Sequence, residues 1–429
     1  MAKKPKSVEI RSYQVGFGDC FLVSFNYDAT DSRHVLIDFG TTGLPKNRNG
    51  TKIHMPIIAK EIRKAIGSGE LTAVIATHRH ADHISGFGTD GKTGDSGTII
   101  KDLKPRLVMQ PWTEDPKAQR DALSATGVKK GQPAFLATLM TMNRIAGRVE
   151  KLARDPPAWM SATAAKELSF LGEDNIANRS AIDNLIAMGK RTGAKAEYLR
   201  YGSVTRLEDL LDGVKVHILG PPDLTQSEAI RSQRAVDQDE FWHLMGGTVP
   251  LRADTQLPGR SARRKSAQVP AQARWFRDRL QSLTEKGLLE IVRSLDAQMN
   301  NTSLIVLFEV NGKKMLFPGD AQLENWSYAL REAKDSARVR ALLADVDFYK
   351  VGHHGSLNAT PKKMLWANFT KKKGRALKTM ISTMAGKHGT RGKTEVPRQP
   401  LVNALKKGSD LKNTQQLTKI SDLENKFTL

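Results

Sequence analysis

Thr77-His78-Arg79-His80-Ala81-Asp82-His83 places three imidazoles and one carboxylate within the six positions 78–83. Neutral imidazole nitrogen and carboxylate oxygen are the donors that borderline divalent ions such as zinc accept, and this spacing lets side chains converge from one short loop. The preceding run, Leu71 to Ala76 (LTAVIA), is apolar and reads as a buried strand. The ligand-type residues therefore sit at a strand's carboxyl end. A single histidine is usually a satisfied surface or core residue, but four such groups in one loop point to metal chemistry.

Further segments extend the pattern. Val15 to Cys20 (VGFGDC) precedes the strand-like Phe21 to Phe25, and Val35 to Gly40 (VLIDFG) reads as a strand ending in a carboxylate and a glycine. Far downstream, Met315 to Asp320 (MLFPGD) and Tyr349 to Ser356 (YKVGHHGS) place Asp320, His353 and His354 after two more apolar runs. The order and content of these pieces resemble the metallo-β-lactamase superfamily. The VGxGD opening, the strand Val214 to Leu219 running into Gly220, Pro221 and Pro222, the segment NNTSLIVLFEV and the HHGS tetrapeptide are similar to the soluble metallo-β-lactamase domain of the ComEC competence protein and its stand-alone bacterial relatives.

The resemblance implies an α+β chain folded as a four-layer αβ/βα sandwich with a largely helical insertion, holding two divalent ions, zinc or manganese. Metal-activated water would attack an ester, often a phosphodiester. His78, His80, Asp82, His83, Asp320 and one of His353 or His354 match metal-binding positions, with Asp82, His83 and Asp320 at the reaction centre. Most members carry a further histidine four residues before the serine that opens the next strand. Here Met299, Asn300 and Asn301 precede Ser303. The departure predicts a tight site at Asp82, His83, Asp320 and the late histidine, and a weaker one at His78 and His80, where Asn300 or Asn301 or water fills in. Asp19 and Asp38 are either carboxylates that steady a ligand histidine or ordinary turn residues at strand ends. The lone cysteine, Cys20, reads as a small buried hydrophobe rather than a nucleophile.

The organisation expected is an N-terminal half over 1–116, a helical insertion over 117–180, a return to the sandwich over 181–222, a basic loop and helix over 223–297, and a C-terminal half over 298–429. Ala134 to Leu152 carries apolar groups at helical spacing and stops at Pro156 and Pro157. Asn178 to Gly193 and Arg274 to Leu295 also read as helices.

Composition allows a substantial core, with 39% hydrophobic residues, and a single cysteine rules out a disulfide framework. MAKKPKS carries positive charge without a following apolar region, so neither secretion nor a membrane span is indicated and a cytoplasmic protein is expected. No nucleotide cofactor is expected. The 67 Lys and Arg against 45 Asp and Glu leave a formal charge of +22, which attracts polyanions and makes nucleic acid the natural partner. Arg263, Arg264 and Lys265, with Lys362 and Lys363 after the HHGS loop, are candidate backbone contacts, and Ser356 and His388 candidate substrate contacts. The expected activity is metal-dependent hydrolysis of nucleic acid, DNA before RNA. The alternatives are a small phosphoester such as a cyclic nucleotide, or a nucleic-acid-binding module without turnover.

Overall fold

The computed structural model describes residues 3–45, 54–90, 94–117, 178–231, 234, 237–242, 298–384, 386–389, 395–417 and 424–429, together with 153, 155, 156, 162, 165 and 168. The helices expected over Ala134 to Leu152 and Arg274 to Leu295, and the basic segment with Arg263, Arg264 and Lys265, lie outside the described residues.

Six strands of the first half, Ser7–Tyr13 (β1), Cys20–Asn26 (β2), Ser32–Phe39 (β3), Ala73–Ile75 (β4), Leu107–Pro111 (β5) and Lys195–Leu199 (β6), form one sheet in chain order. The first three pair antiparallel and the last four pair parallel. A second sheet repeats this plan with Lys215–Gly220 (β7), Ile305–Val310 (β8), Lys313–Phe317 (β9), Phe348–Lys350 (β10), Lys378–Ile381 (β11) and Asp410–Asn413 (β12). Again two antiparallel pairings are followed by three parallel ones. Glu424–Thr428 (β13) returns to the first sheet and pairs with β1.

Alternation along the strands stacks the layers. On β2, Phe21, Val23 and Phe25 face the second sheet, while Cys20 and Leu22 face helices on the outside. The inner faces interdigitate through aromatic rings, with centroids 5.9 Å apart for Phe21 and Phe317 and 5.5 Å for Phe25 and Phe308. Helices His54–Ile66, Ser96–Lys101 and Arg179–Lys190 cover the first sheet's outer face. In the first of these, Ile58, Ala59, Ile62 and Ile66 form the buried stripe, and Gly67 at φ +72° ends it by donating back to the Arg63 carbonyl. Trp326, Val339, Leu343, Leu401 and Leu405 bring three further helices, Leu323–Ser327, Ser336–Ala344 and Gln399–Gly408, against the second sheet.

The chain is thus a mixed α/β structure built on two mixed sheets. Strands expected at Phe21 to Phe25, Val35 to Gly40, Leu71 to Ala76, Val214 to Leu219 and Met315 to Asp320 overlap observed ones, as does the helix expected from Asn178. Among the described residues, no helix is long and apolar enough to cross a membrane.

Phe317 is fully buried where both sheets meet. Phe317→Ala is expected to lower unfolding stability by about 3–5 kcal/mol in denaturant melts, whereas the exposed Val204→Ala should change it little.

Candidate metal centre

The two sheets deliver their ligand-type residues from equivalent strand ends. Asp38 lies at the end of β3 and His78 to His83 follow β4, while Asp320 follows β9 and His353 and His354 follow β10. Each loop is held in an unusual shape. Asp38 adopts φ +56°, and its carboxylate accepts from the Thr77 amide (2.7 Å), the Thr77 hydroxyl (2.7 Å) and His83 Nδ1–H (2.7 Å). His353 and His354 have φ +44° and +50°, a left-handed pair that non-glycine residues adopt only when their surroundings hold them there. Gly40 lets the β3 end approach the His80–His83 loop, since a Cβ there would lie 2.4 Å from the His83 nitrogen and 2.5 Å from the Ala81 carbonyl oxygen.

These loops bring together Asp82, His83, Asp320 and His354, all buried, with one donor atom of each within 4.8 Å of the others. His83 Nε2 lies 3.1 Å from Asp320 Oδ2 and 3.7 Å from Asp82 Oδ1, and His354 Nε2 lies 2.8 Å from Asp82 Oδ2. The tautomers follow from what the other ring nitrogens do. His83 donates through Nδ1 to Asp38, and His354 donates through Nδ1 to the Ser382 carbonyl (2.8 Å), so both rings turn Nε2 inward. Asp82 Oδ1, His83 Nε2 and Asp320 Oδ2 are buried without a hydrogen-bond partner. Buried polar atoms left so are costly, and a divalent cation satisfies this set. The four residues can hold a metal ion.

Of the two late histidines it is His354 that joins the group. His353 is 21% exposed, with Nε2 3.7 Å from Asp320 Oδ2, and burial lowers its pKa to about 4. His78 and His80 are buried and face each other, Nε2 to Nδ1, at 3.0 Å. The His78 ring also lies 4.1 Å from that of His83. Among the described residues, neither belongs to a set of three or more His, Cys, Asp or Glu ligand atoms lying within 4.8 Å of one another. Asn300 and Asn301 are buried in the turn before Ser303, whose hydroxyl accepts from the Asp320 amide at 3.2 Å. Asn301 Oδ1 in turn accepts from the Asn325 amide at 3.1 Å.

Asp19 lies beside the cluster, 3.7 Å from His83 Nδ1 and 3.5 Å from His354 Nδ1, and forms a second group with Asp38 and His83. Its partner is Lys350, within the YKVGHHGS segment, to which sequence alone assigns no role. The Lys350 ammonium is buried in contact with Asp19, 3.5 Å from Asp320 Oδ1, and donates to the Gly319 carbonyl at 3.0 Å. Burial opposes its charge, but Asp19 and Asp320 outweigh this and hold its pKa above the usual lysine value. A signal was available, since lysine closes an otherwise apolar strand, Phe348–Lys350, that is buried throughout. Arg79, between two candidate ligands, is pinned to Glu114 by paired hydrogen bonds, Nε to Oε1 at 2.9 Å and Nη2 to Oε2 at 2.6 Å. Burial pushes the Cys20 thiol well up, which keeps it unreactive.

The proposed substrate contacts fall in different places. The Phe17 ring stacks 4.5 Å from His354 and 6.3 Å from His388, which puts His388 on the cluster's side of the molecule. Ser356 is buried near Asn358. Lys362 lies over the Trp242 ring and Lys363 pairs with Asp239, both against the 237–242 segment. Comparison with known protein families and with curated proteins finds no match for this chain.

Two outcomes follow from this geometry. Asp38→Asn is expected to weaken metal affinity about 10–100-fold in competitive chelator titrations, because the His83 ring loses its anionic acceptor. Burial opposes charge on His83 and His354, but Asp320 with Asp82 or Asp19 outweighs it and raises both pKa values. Protons then compete with the ion below those raised values, so affinity should climb with pH across the neutral range and binding should release protons. Affinity independent of pH would contradict this.

Proposed function

We propose that the chain is a metal-dependent phosphodiesterase acting on nucleic acid, DNA in the first instance, with a metallo-β-lactamase-type, ComEC-like fold. The observation that carries this reading is the convergence of Asp82, His83, Asp320 and His354 with inward-facing atoms that lack hydrogen-bond partners. A zinc or manganese ion held there would polarise a phosphoryl oxygen and lower the pKa of water. The chain's own groups prepare that chemistry. Asp38 and the Ser382 carbonyl fix the two ligand rings, and the Arg79–Glu114 pair anchors the loop that carries four of the candidate ligands. His353, neutral and partly exposed beside Asp320, is the imidazole open to a bound substrate.

The formal charge of +22 supports a polyanionic substrate, since lysines and arginines that face phosphates gain from counterion release. A small phosphoester would draw little on that charge. Salt dependence separates the two substrate classes.

Purified protein is expected to degrade DNA when supplied with manganese, zinc or magnesium, and EDTA should stop it. Asp82→Ala and His83→Ala should each lower the rate by more than about 100-fold while circular dichroism shows the fold retained. Binding should weaken steeply between low and moderate salt. Failure to cut single-stranded DNA, double-stranded DNA and RNA under any of these ions would overturn the assignment, and salt-insensitive turnover of a cyclic nucleotide would move it to a small substrate.

A further inference from the structure

Asp320 is approached from two sides by different cations or cation ligands. Its Oδ2 faces the ligand nitrogens, 3.1 Å from His83 Nε2 and 3.8 Å from His354 Nε2. Its Oδ1 faces Lys350 Nζ at 3.5 Å, and the same ammonium touches Asp19 and donates to Gly319. A carboxylate shared between two metal ions needs both ions beside it. Here a fixed ammonium stands on one side.

We propose that Lys350 is a positioning residue that limits this centre to one divalent ion: it neutralises Asp19 and occupies the Oδ1 side of Asp320, leaving only Oδ2 for the ion held with Asp82, His83 and His354. The charge pattern agrees. Lys350 offsets Asp19, one dication offsets Asp82 and Asp320, and Asp38 is neutralised in part by three hydrogen-bond donors. Large uncompensated charge in a buried site is costly, and this arrangement leaves little. The remaining donors support the same count. His78 and His80 supply two nitrogens, and among the described residues neither joins a group of three or more His, Cys, Asp or Glu ligand atoms lying within 4.8 Å of one another. Without Lys350, the vacated place would be lined by Asp19, Asp38, His83 and Asp320 Oδ1, a donor set that attracts a cation.

This inference rests on the reading of the cluster as a metal centre, and one measurement separates the two. The metal bound per chain after saturation with manganese or zinc and desalting is counted by elemental analysis, with the manganese form examined by electron paramagnetic resonance. One ion per chain, with an uncoupled manganese signal, is expected. Two ions in wild type, with a spin-coupled signal, would overturn the role of Lys350 and leave the metal centre standing, whereas no bound ion would remove both. Lys350→Met should raise the count toward two, because Asp19 and Asp320 Oδ1 lose their ammonium. Lys350→Met combined with Asp19→Asn removes the vacated anion as well and should return the count to one. A folded Lys350→Met protein that still binds one ion would show that the lysine only fills space. If that variant fails to fold, Lys350→Gln, which also removes the ammonium, takes its place in the same count, and two ions in wild type still overturn the proposal.

Discussion

Four carboxylates, Asp19, Asp38, Asp82 and Asp320, are buried around one imidazole, and keeping that negative charge out of water is the constraint the site is built to meet. His83 lies 3.7, 2.7, 3.7 and 3.1 Å from them in that order. Burying even one unpaired carboxylate costs several kcal/mol, so the surroundings must supply positive charge or hydrogen-bond donors. Thr77 and His83 serve Asp38, and Lys350 serves Asp19. What is left, the Asp82–Asp320 pair with two inward imidazole nitrogens, is a demand that a divalent cation meets and that protons on His83 and His354 meet in its absence. The rest of the fold can be understood as the scaffold that holds this demand in place.

That scaffold is a repeated one. Each sheet runs three antiparallel strands and then three further parallel ones, and each sends its ligand loops from the carboxyl ends of its third and fourth strands. Parallel neighbours end at the same level, so Asp38 meets the His78–His83 loop, and Asp320 meets the His353–His354 loop. Stacking the sheets through Phe21, Phe25, Phe308 and Phe317 then joins the halves, so the aromatic core and the metal site depend on one interface. Close approaches complete the join, as at Gly319, where a Cβ would lie 2.8 Å from the Thr77 side chain.

Much of this was legible in the chain because the ligands are clustered locally and follow apolar runs of strand type. The loop at 78–83 and the segments before Asp320 and His354 needed only short-range pattern. What was not legible depended on tertiary direction. His353 and His354 are neighbours of identical type, and only left-handed backbone at both decides that His354 turns inward. Lys350 looks solvent-facing by residue type, yet its place on a fully buried strand points the ammonium at Asp19. The two strands β1 and β13 pair across nearly the whole chain, a contact that no local window reveals. Basic residues were the least readable, since charge alone does not show the neighbours that orient them, such as Trp242 beneath Lys362 and Asp239 beside Lys363.

The central claim is that the buried Asp–His cluster exists to bind a cation. Crystals grown with manganese or zinc, with diffraction recorded at that metal's absorption edge, test it most directly. The account predicts an anomalous peak enclosed by Asp82, His83, Asp320 and His354. A well-ordered site with no peak there, and its carboxylates instead hydrogen-bonded to protonated His83 and His354 in saturating metal, would contradict it.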